Sequence, residues 1–401
     1  MSQNPLSPAS SACVDLRIVP RSAHSISRKN ISHGALRVLY GLHEAGYDAF
    51  LVGGAVRDLL LGGHPKDFDI ATNAEPEQVR ALFRNCRLIG RRFRLAHVMF
   101  GREIVEVATF RGVGEGVNGD RHMVAGRLIR DNVYGSIEED AIRRDFTVNA
   151  LYYNIADFSV RDYVGGIADL EARTLRMIGD PQSRYREDPV RMLRAVRLAA
   201  KLDFSIAAET AAPLERIGQS LGEAPPARLF DETLKMFLAG HGLAGFHGLE
   251  RHGLLSEVFP ATAQALLGSR AEPFRLLIEQ TLASTDERAR AGRPVTAAFL
   301  FAALLWEPVR TLAEARIAEG GESNLEWARA SASVATAQAR RVAIPRRVVL
   351  GMEEIWELQP RFLQRTKKRV FRLLAHPRFR AAYDFLVLRA HESAELAECA
   401  A

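Results

Sequence analysis

Cysteine is nearly absent: Cys13, Cys86 and Cys399 are the only three in 401 residues. They are odd in number and far apart, which excludes a disulfide framework and a cysteine-built zinc cluster. No apolar run reaches the ~20 residues that span a bilayer. The longest, Val295 to Trp306, suits a buried helix. No secretory signal is expected, because Asp15 and Arg17 break the stretch "ACVDLRIV". A cytoplasmic protein is the expectation. No G-x-x-x-x-G-K-[ST] occurs, so no P-loop is expected. "GEGVNG" (Gly114 to Gly119) fits G-x-G-x-x-G, but the polar, broken stretch after it offers no helix to receive a pyrophosphate. A loop is expected there. His64, His97 and His122 lack ligand-like spacing, and Cys86 reads as inert.

What is present is an ordinary globular composition, 47% hydrophobic and 25% charged. A chain of this length exceeds one core, so two or more domains are expected. The net charge of +6 is unevenly spread. Between Arg340 and Arg380 twelve Lys/Arg stand against three Glu, a local excess of +9. A second cluster holds Arg184, Arg186, Arg191, Arg194, Arg197 and Lys201, opposed by Glu187 and Asp188. Such clustering suits a polyanionic partner, although solvated helix faces look the same by charge alone.

The periodicity divides the chain into four parts. Residues 1–30, rich in Ser and Pro, read as a flexible arm. Residues 31–165 mix strands with helices and form an α+β head with a small mixed sheet. Residues 166–260 form a helical neck. Residues 261–401 form a helical body with a basic C-terminal segment.

The head carries the chemistry. In "KDFDIAT" (Lys66 to Thr72) Asp67 and Asp69 alternate with Phe68 and Ile70. Side chains two apart on a strand share a face, so the two acids project together while Phe68 and Ile70 pack behind. Like charges that close are unfavourable unless a cation neutralises them. Mg²⁺, a hard ion that prefers oxygen, meets that need. Two such ions can activate an attacking hydroxyl and stabilise the leaving oxygen of a phosphoryl transfer. A third carboxylate could come from "EIVEVATF", which offers Glu106. D-x-D pairs also occur in solvated turns, and the pair alone does not decide.

The residues before the pair add specificity. "LVGGAVRDLLLG" puts Gly53 and Gly54 where a strand turns into a helix. Glycine there lets backbone approach a ligand closely. The helix start favours phosphate, and Arg57 adds a fixed charge beside Asp58.

Together "LVGGAVRDLLLGGHPKDFDIAT", "EEDAIRRDFTVNALYY" and "YREDPVRMLRAVRLAAKL" resemble ordered motifs of the class II nucleotidyltransferases, the family of CCA-adding enzymes and bacterial poly(A) polymerases. The resemblance covers about Ile18 to Pro260. "RNCRLIGRRFRLAHVMFG" is similar to the poly(A) polymerase pattern, with basic residues and a Phe after the Gly. CCA-adding enzymes carry a small, Gly-containing step there. The resemblance therefore implies template-independent polyadenylation of RNA 3′ ends, with CCA addition to tRNA as the rival. A catalytically inactive RNA-binding protein of the same fold is the reading from another class.

By resemblance, Asp67, Asp69 and Asp145 are the catalytic acids; Glu106 stays a candidate metal ligand from the strand pattern, and the sequence leaves open whether Glu106 or Asp145 lies nearer the ions. Two Mg²⁺ ions and ATP as substrate are implied. Gly53, Gly54, Arg57, Asp58, Arg144, Asn149, Asp188, Arg191, Arg194 and Arg197 fall at nucleotide-binding positions. RNA 3′ ends from mRNA and decay intermediates, together with RNA-decay proteins, are the implied partners.

Asp188, Arg191, Arg194 and Arg197 recur every third residue and form a stripe on one helix, with Asp188 as N-cap and Pro189 in the first turn. Met192, Leu193, Val196 and Leu198 are expected to face inward. A surface Asp–Arg pair worth ~0.3–0.5 kcal/mol would explain the spacing. A carboxylate beside a guanidinium could equally read the edge of adenine, and the resemblance favours this. Near the C-terminus, Arg346, Arg347, Lys367, Lys368, Arg369 and Arg372, with Arg361, Arg365 and Arg380, are candidates to hold RNA phosphates. Phe362, Phe371 and Phe379 interleave with them, as core residues or as a stacking platform.

Overall fold

The computed structural model describes residues 16–90, 94–112, 121–124, 127–131, 133–364 and 366–401. The expected loop at Gly114 to Gly119, Arg365 and the first half of the expected arm lie outside the described residues. The chain forms two compact units. One runs to Asp188 and includes Ser205–Thr210. The other comprises Pro189–Phe204 and Ala211–Ala401.

The first unit is built on strands β1 (Arg17–Val19), β2 (Ala49–Val52), β3 (Asp69–Thr72), β4 (Cys86–Ile89), β5 (Leu95–Phe100), β6 (Glu103–Thr109), the hairpin β7 (Arg121–Val124) and β8 (Arg127–Asp131), then β9 (Leu151–Asn154), β10 (Val160–Asp162), β11 (Thr174–Leu175) and β12 (Ser205–Ile206). Eight of them form one sheet in the order β1-β10-β9-β2-β3-β6-β5-β4. Only β3 and β6 run parallel; the other neighbours are antiparallel.

Helix α1 (His33–Glu44) begins at Ser32, whose Oγ accepts from Ala35 N at 3.0 Å. It buries Val38, Leu39 and Leu42 at helical spacing. Helix α2 (Gly54–Leu60) follows β2 directly, and α3 (Pro76–Leu82) starts with a Glu75–Gln78 capping box. Helix α4 (Ile137–Arg143) opens with a second box, Ser136–Glu139. Phe50, Val52, Ala71, Phe110, Tyr152 and Tyr163 pack together on one face of the sheet, with edge-on rings for Phe50–Tyr152 (6.1 Å) and Tyr152–Tyr163 (5.9 Å).

Two expectations about boundaries need correction. Residues 16–30 are not a flexible arm: β1 pairs antiparallel with β10, and Ile26 is buried. The open edge of β10 offers backbone partners that composition does not reveal. Nor does the head end near 165. Through α5 (Gly166–Glu171) and α6 (Pro181–Glu187) it continues to Asp188, and β12 returns to pair parallel with β11. Tyr185 donates from its hydroxyl to the Thr210 carbonyl at 3.0 Å and holds that returning segment.

The second unit is helical. Helix α7 (Val190–Leu202) packs on the helix Pro226–Phe237 and on Gly242–Arg251. The apolar run predicted as a buried helix is one, Ala297–Leu304, with Leu300 to Leu304 inaccessible. Trp306 beside it stacks on Trp327 at 5.4 Å, and the buried Arg389 guanidinium lies 3.9 Å over the Trp306 ring. Among the described residues no helix is long and apolar enough to cross a membrane.

Candidate active site

The registers of five strands line up one transverse row of side chains: Tyr152 opposite Val52, Val52 opposite Asp69, Asp69 opposite Glu106, and Glu106 opposite His97. Residues paired across neighbouring strands project from the same face, so the row presents its polar groups together. Strand β3 begins at Asp69 rather than Asp67, which leaves Asp67 on the approach to the strand. Phe68 and Ile70 are buried as expected, and both acids are exposed.

Asp69 is open to solvent on one side yet recessed among protein groups. Burial, then the charge of Glu106, raise its carboxyl to about 6; Arg144 opposes them and Asp67 adds a smaller push. Of the neighbouring acids, Glu106 thus acts more strongly on Asp69 than Asp67 does. His97 Nε2 lies 3.3 Å from a Glu106 oxygen and orients it. Asp145 is engaged locally: one oxygen accepts from Phe146 N at 2.8 Å and from the Asn149 amide at 3.1 Å.

The glycine turn sits at the same end of β2. Gly53 adopts φ +70° and ψ −137°, a backbone state natural to glycine. A Cβ there would lie 3.6 Å from Arg144 Nη1, so this guanidinium borders the turn. Arg144 is fixed from behind. Its Nε and Nη2 donate to Asp140 at 3.2 and 3.0 Å, and Nε also reaches the Tyr152 hydroxyl at 2.8 Å. Burial alone would weaken its charge, but Tyr152 and Asp140 more than offset that and raise its pKa. Tyr152, protonated and pushed upward by burial, donates to Asp140 at 2.7 Å.

Arg57 is placed differently from the expectation of a ligand-facing charge. It is 3% exposed, donates to Asn149 Oδ1, and clasps Asp58 through Nε (2.8 Å) and Nη2 (2.6 Å). Arg57, Asp58, Asn149 and Asp145 thereby form a chain that ties the turn to the Thr147–Asn149 segment. Arg184, counted above in a basic cluster, is likewise structural: Nη2 donates to the Arg143 and Arg144 carbonyls, both at 2.7 Å, and closes the end of α4.

In the second unit, α7 buries Met192, Leu193, Val196 and Leu198 as its stripe predicts. Its N-cap is Pro189, with no side-chain cap. Asp188 instead terminates α6, because Pro189 already adopts helical angles and moves the break one residue upstream. Arg197 bonds the buried Glu232 at 2.7 Å, and Arg194 lies 3.7 Å from the same carboxylate. Arg346 and Arg347 are exposed at the start of helix Arg346–Phe362. The helix Lys367–Leu374 buries nothing and shows Lys367, Lys368, Arg369 and Arg372, with Phe371 63% exposed. Phe362 and Phe379 are half-buried and pack on Tyr383, so of the three interleaved rings Phe371 is the most exposed.

Tyr152, Asp140 and Glu232 escaped the sequence reading, and His97 was read only as lacking ligand-like spacing. Asp140 had a signal, its i,i+4 spacing to Arg144. The others depend on strand or helix pairing.

For a divalent ion the donor set is right in kind: Asp67, Asp69 and Glu106 offer only hard carboxylate oxygens. Among the described residues no three such groups are gathered closely enough to form a ready-made metal cage.

Family models match three stretches: "Poly A polymerase head domain" at 49–176, "Probable RNA and SrmB- binding site of polymerase A" at 203–266, and "Polymerase A arginine-rich C-terminus" at 320–401. Poly(A) polymerase I of Salmonella typhi is 53% identical over 94% of this chain and 82% of its own. A CCA-adding enzyme of Bacillus pumilus is 40% identical, but over 45% of this chain and 44% of its own. A solved tRNA-processing enzyme in an apo form shares the fold, with a TM-score of 0.62 at 23% identity over 94% of this chain and 91% of that one. With its acidic row beside a glycine turn, and half its residues identical to such relatives over nearly its whole length, the chain belongs to the family of bacterial poly(A) polymerases.

Proposed function

We propose that the row of Asp69 and Glu106 beside the Gly53 turn is where ATP gives up AMP to the 3′-hydroxyl of RNA, with pyrophosphate as the other product. Family membership makes the chain a template-independent polyadenylating enzyme acting on RNA. The juxtaposition of Asp69, Glu106 and Arg144 at the end of the glycine turn carries the reading of the site.

Asp67 and Asp69 would hold two Mg²⁺ ions, and Glu106 is the acid best placed to join them. When bound, the ions lower the pKa of the attacking hydroxyl and neutralise the leaving oxygen. The remaining roles belong to the chain's own groups. Gly53 and Gly54 keep the turn free of side chains, so the triphosphate can lie against backbone. Arg144 turns Nη1 toward that position while Asp140 and Tyr152 hold its other nitrogens. Arg57, Asp58, Asn149 and Asp145 fix the turn and the segment facing the ribose. Asp188, Arg191, Arg194 and Arg197 are the set proposed to select adenine, with Glu232 orienting two of the arginines. Arg346, Arg347, Lys367, Lys368, Arg369 and Arg372 are proposed to hold RNA phosphates, and RNA-decay proteins are the proposed partners.

The test is direct. Each of ATP, CTP, GTP and UTP is offered with a generic RNA and with a tRNA lacking its terminal trinucleotide. Long tails of A alone are expected; efficient CTP addition to the tRNA would overturn the assignment. Asp67→Asn is expected to abolish incorporation and leave RNA binding largely intact, and unchanged incorporation would refute the role of the acids.

A further inference from the structure

A second basic site lies in the first unit, away from the acidic row. Its place follows from β9: Tyr152 belongs to the row, whereas the strand runs on past Asn154 into the loop that carries Phe158, at the opposite end of the sheet. There a cavity of about 490 Å³ is lined by the cations Arg21, Arg28 and Lys29 and the rings of Tyr40 and Phe158. Its size falls within the ~300–1,000 Å³ common for small-ligand sites.

No carboxylate lines the cavity, and among the described residues none of the three cations is paired with an acid. Asp157, next to Phe158, is committed elsewhere: it accepts from Ser159 N and Oγ at 2.9 and 2.7 Å. Arg28 is held in position, donating to the Tyr40 hydroxyl at 2.7 Å with its guanidinium 4.7 Å over the Phe158 ring. One N–H is spent and the rest of the fork remains. Phe158 itself has φ +60°, a left-handed state unusual for a bulky side chain. Its carbonyl is anchored by His24 Nε2 at 2.8 Å. Strain of this kind persists where surroundings over-determine it, commonly at ligand sites. Three uncompensated cations beside two aromatic rings match a phosphate joined to a flat base.

We propose that this cavity is a second nucleotide-binding site, distinct from the catalytic row, which takes the phosphate and base of a nucleotide either free or within an RNA strand. It stands independently of the catalytic assignment. The test uses the full chain and two variants, Arg21→Gln/Lys29→Gln and Arg28→Gln, each checked for an unaltered melting curve. The double variant touches only exposed side chains, so it serves if Arg28→Gln is misfolded. Calorimetric titration with ADP is expected to show a second binding event in the parent that the variants lose. Fluorescence anisotropy of a labelled oligo(A), followed against salt, is the other arm; two fewer neutralised phosphates flatten the log–log slope by ~1.4. Loss of the ADP event alone assigns a free nucleotide, and a flatter slope assigns the RNA strand. Unchanged ADP binding together with an unchanged slope overturns the proposal. Addition of a single AMP to a short primer at saturating substrate should match the parent in both variants, which separates this outcome from failure of the catalytic site.

Discussion

Glu106 lies directly opposite Asp69 in the parallel pairing of β3 with β6, and after burial its charge is the largest influence lifting the Asp69 carboxyl to about 6. A raised carboxyl of this kind marks a site arranged for a cation, since protonation and metal binding are alternative ways to relieve the same repulsion.

Replacing Glu106 with Gln removes that neighbouring charge and a candidate metal ligand. AMP incorporation at saturating ATP is expected to fall by ~10²–10³-fold, the loss typical when one electrostatic stabiliser is deleted. Steady-state kinetics with a fixed RNA primer would measure it, and a rate within a factor of about two of the parent would remove Glu106 from the site. The Asp69 carboxyl should also titrate lower in this variant, as read by carboxyl carbon NMR.

The same shift has a consequence for stability. The folded-state value for Asp69 lies above its ordinary 3.8, so its protonated form is favoured by folding. That contribution is complete below about 4 and disappears as pH rises through about 6. With chelator present, Asp69→Asn should therefore stabilise the head at pH 8 by about 1 kcal/mol, a figure reduced for the solvent open to this carboxylate. The gain should shrink as pH is lowered from 6 toward 4. Melting curves at several pH values in chelator would show it, and a gain that grew toward acid would contradict the sign.

Arg57 predicts a split between charge and geometry. Arg57→Lys keeps the charge but cannot reach Asn149 while making both hydrogen bonds to Asp58 Oδ1. A loss of about 1.5–3 kcal/mol in head stability is expected, the range for hydrogen bonds to charged groups. The KM for ATP should rise because Asn149 and the turn lose their tie. An unaltered melting midpoint in denaturant would show that these buried hydrogen bonds contribute nothing.

For the exposed helix Lys367–Leu374, changing Lys367, Lys368, Arg369 and Arg372 to Gln should weaken RNA binding and flatten its salt dependence by ~0.7 for each phosphate no longer neutralised. No core side chain is involved, so the melting curve should be unmoved. Identical salt slopes for parent and variant would exclude this helix as a holder of phosphates.

Local pattern determined a good deal. The alternation around Asp67 and Asp69, the glycines where β2 turns into α2, and the apolar stripe of α7 all depend on neighbours a few residues apart, and each could be read directly. The basic C-terminal segment and its exposed cations were equally plain. Tertiary structure decided what is non-local. Strand register set Glu106 beside Asp69 and His97 behind Glu106. Burial turned Arg57 from an apparent ligand-binding group into a support, and Glu232 from an unremarked residue into the anchor of two arginines. The open edge of β10 gave residues 17–19 a partner and so made a strand of what composition presents as an arm. Periodicity reports which face a side chain takes, whereas pairing between distant segments depends on backbone edges and buried charge that no short stretch contains.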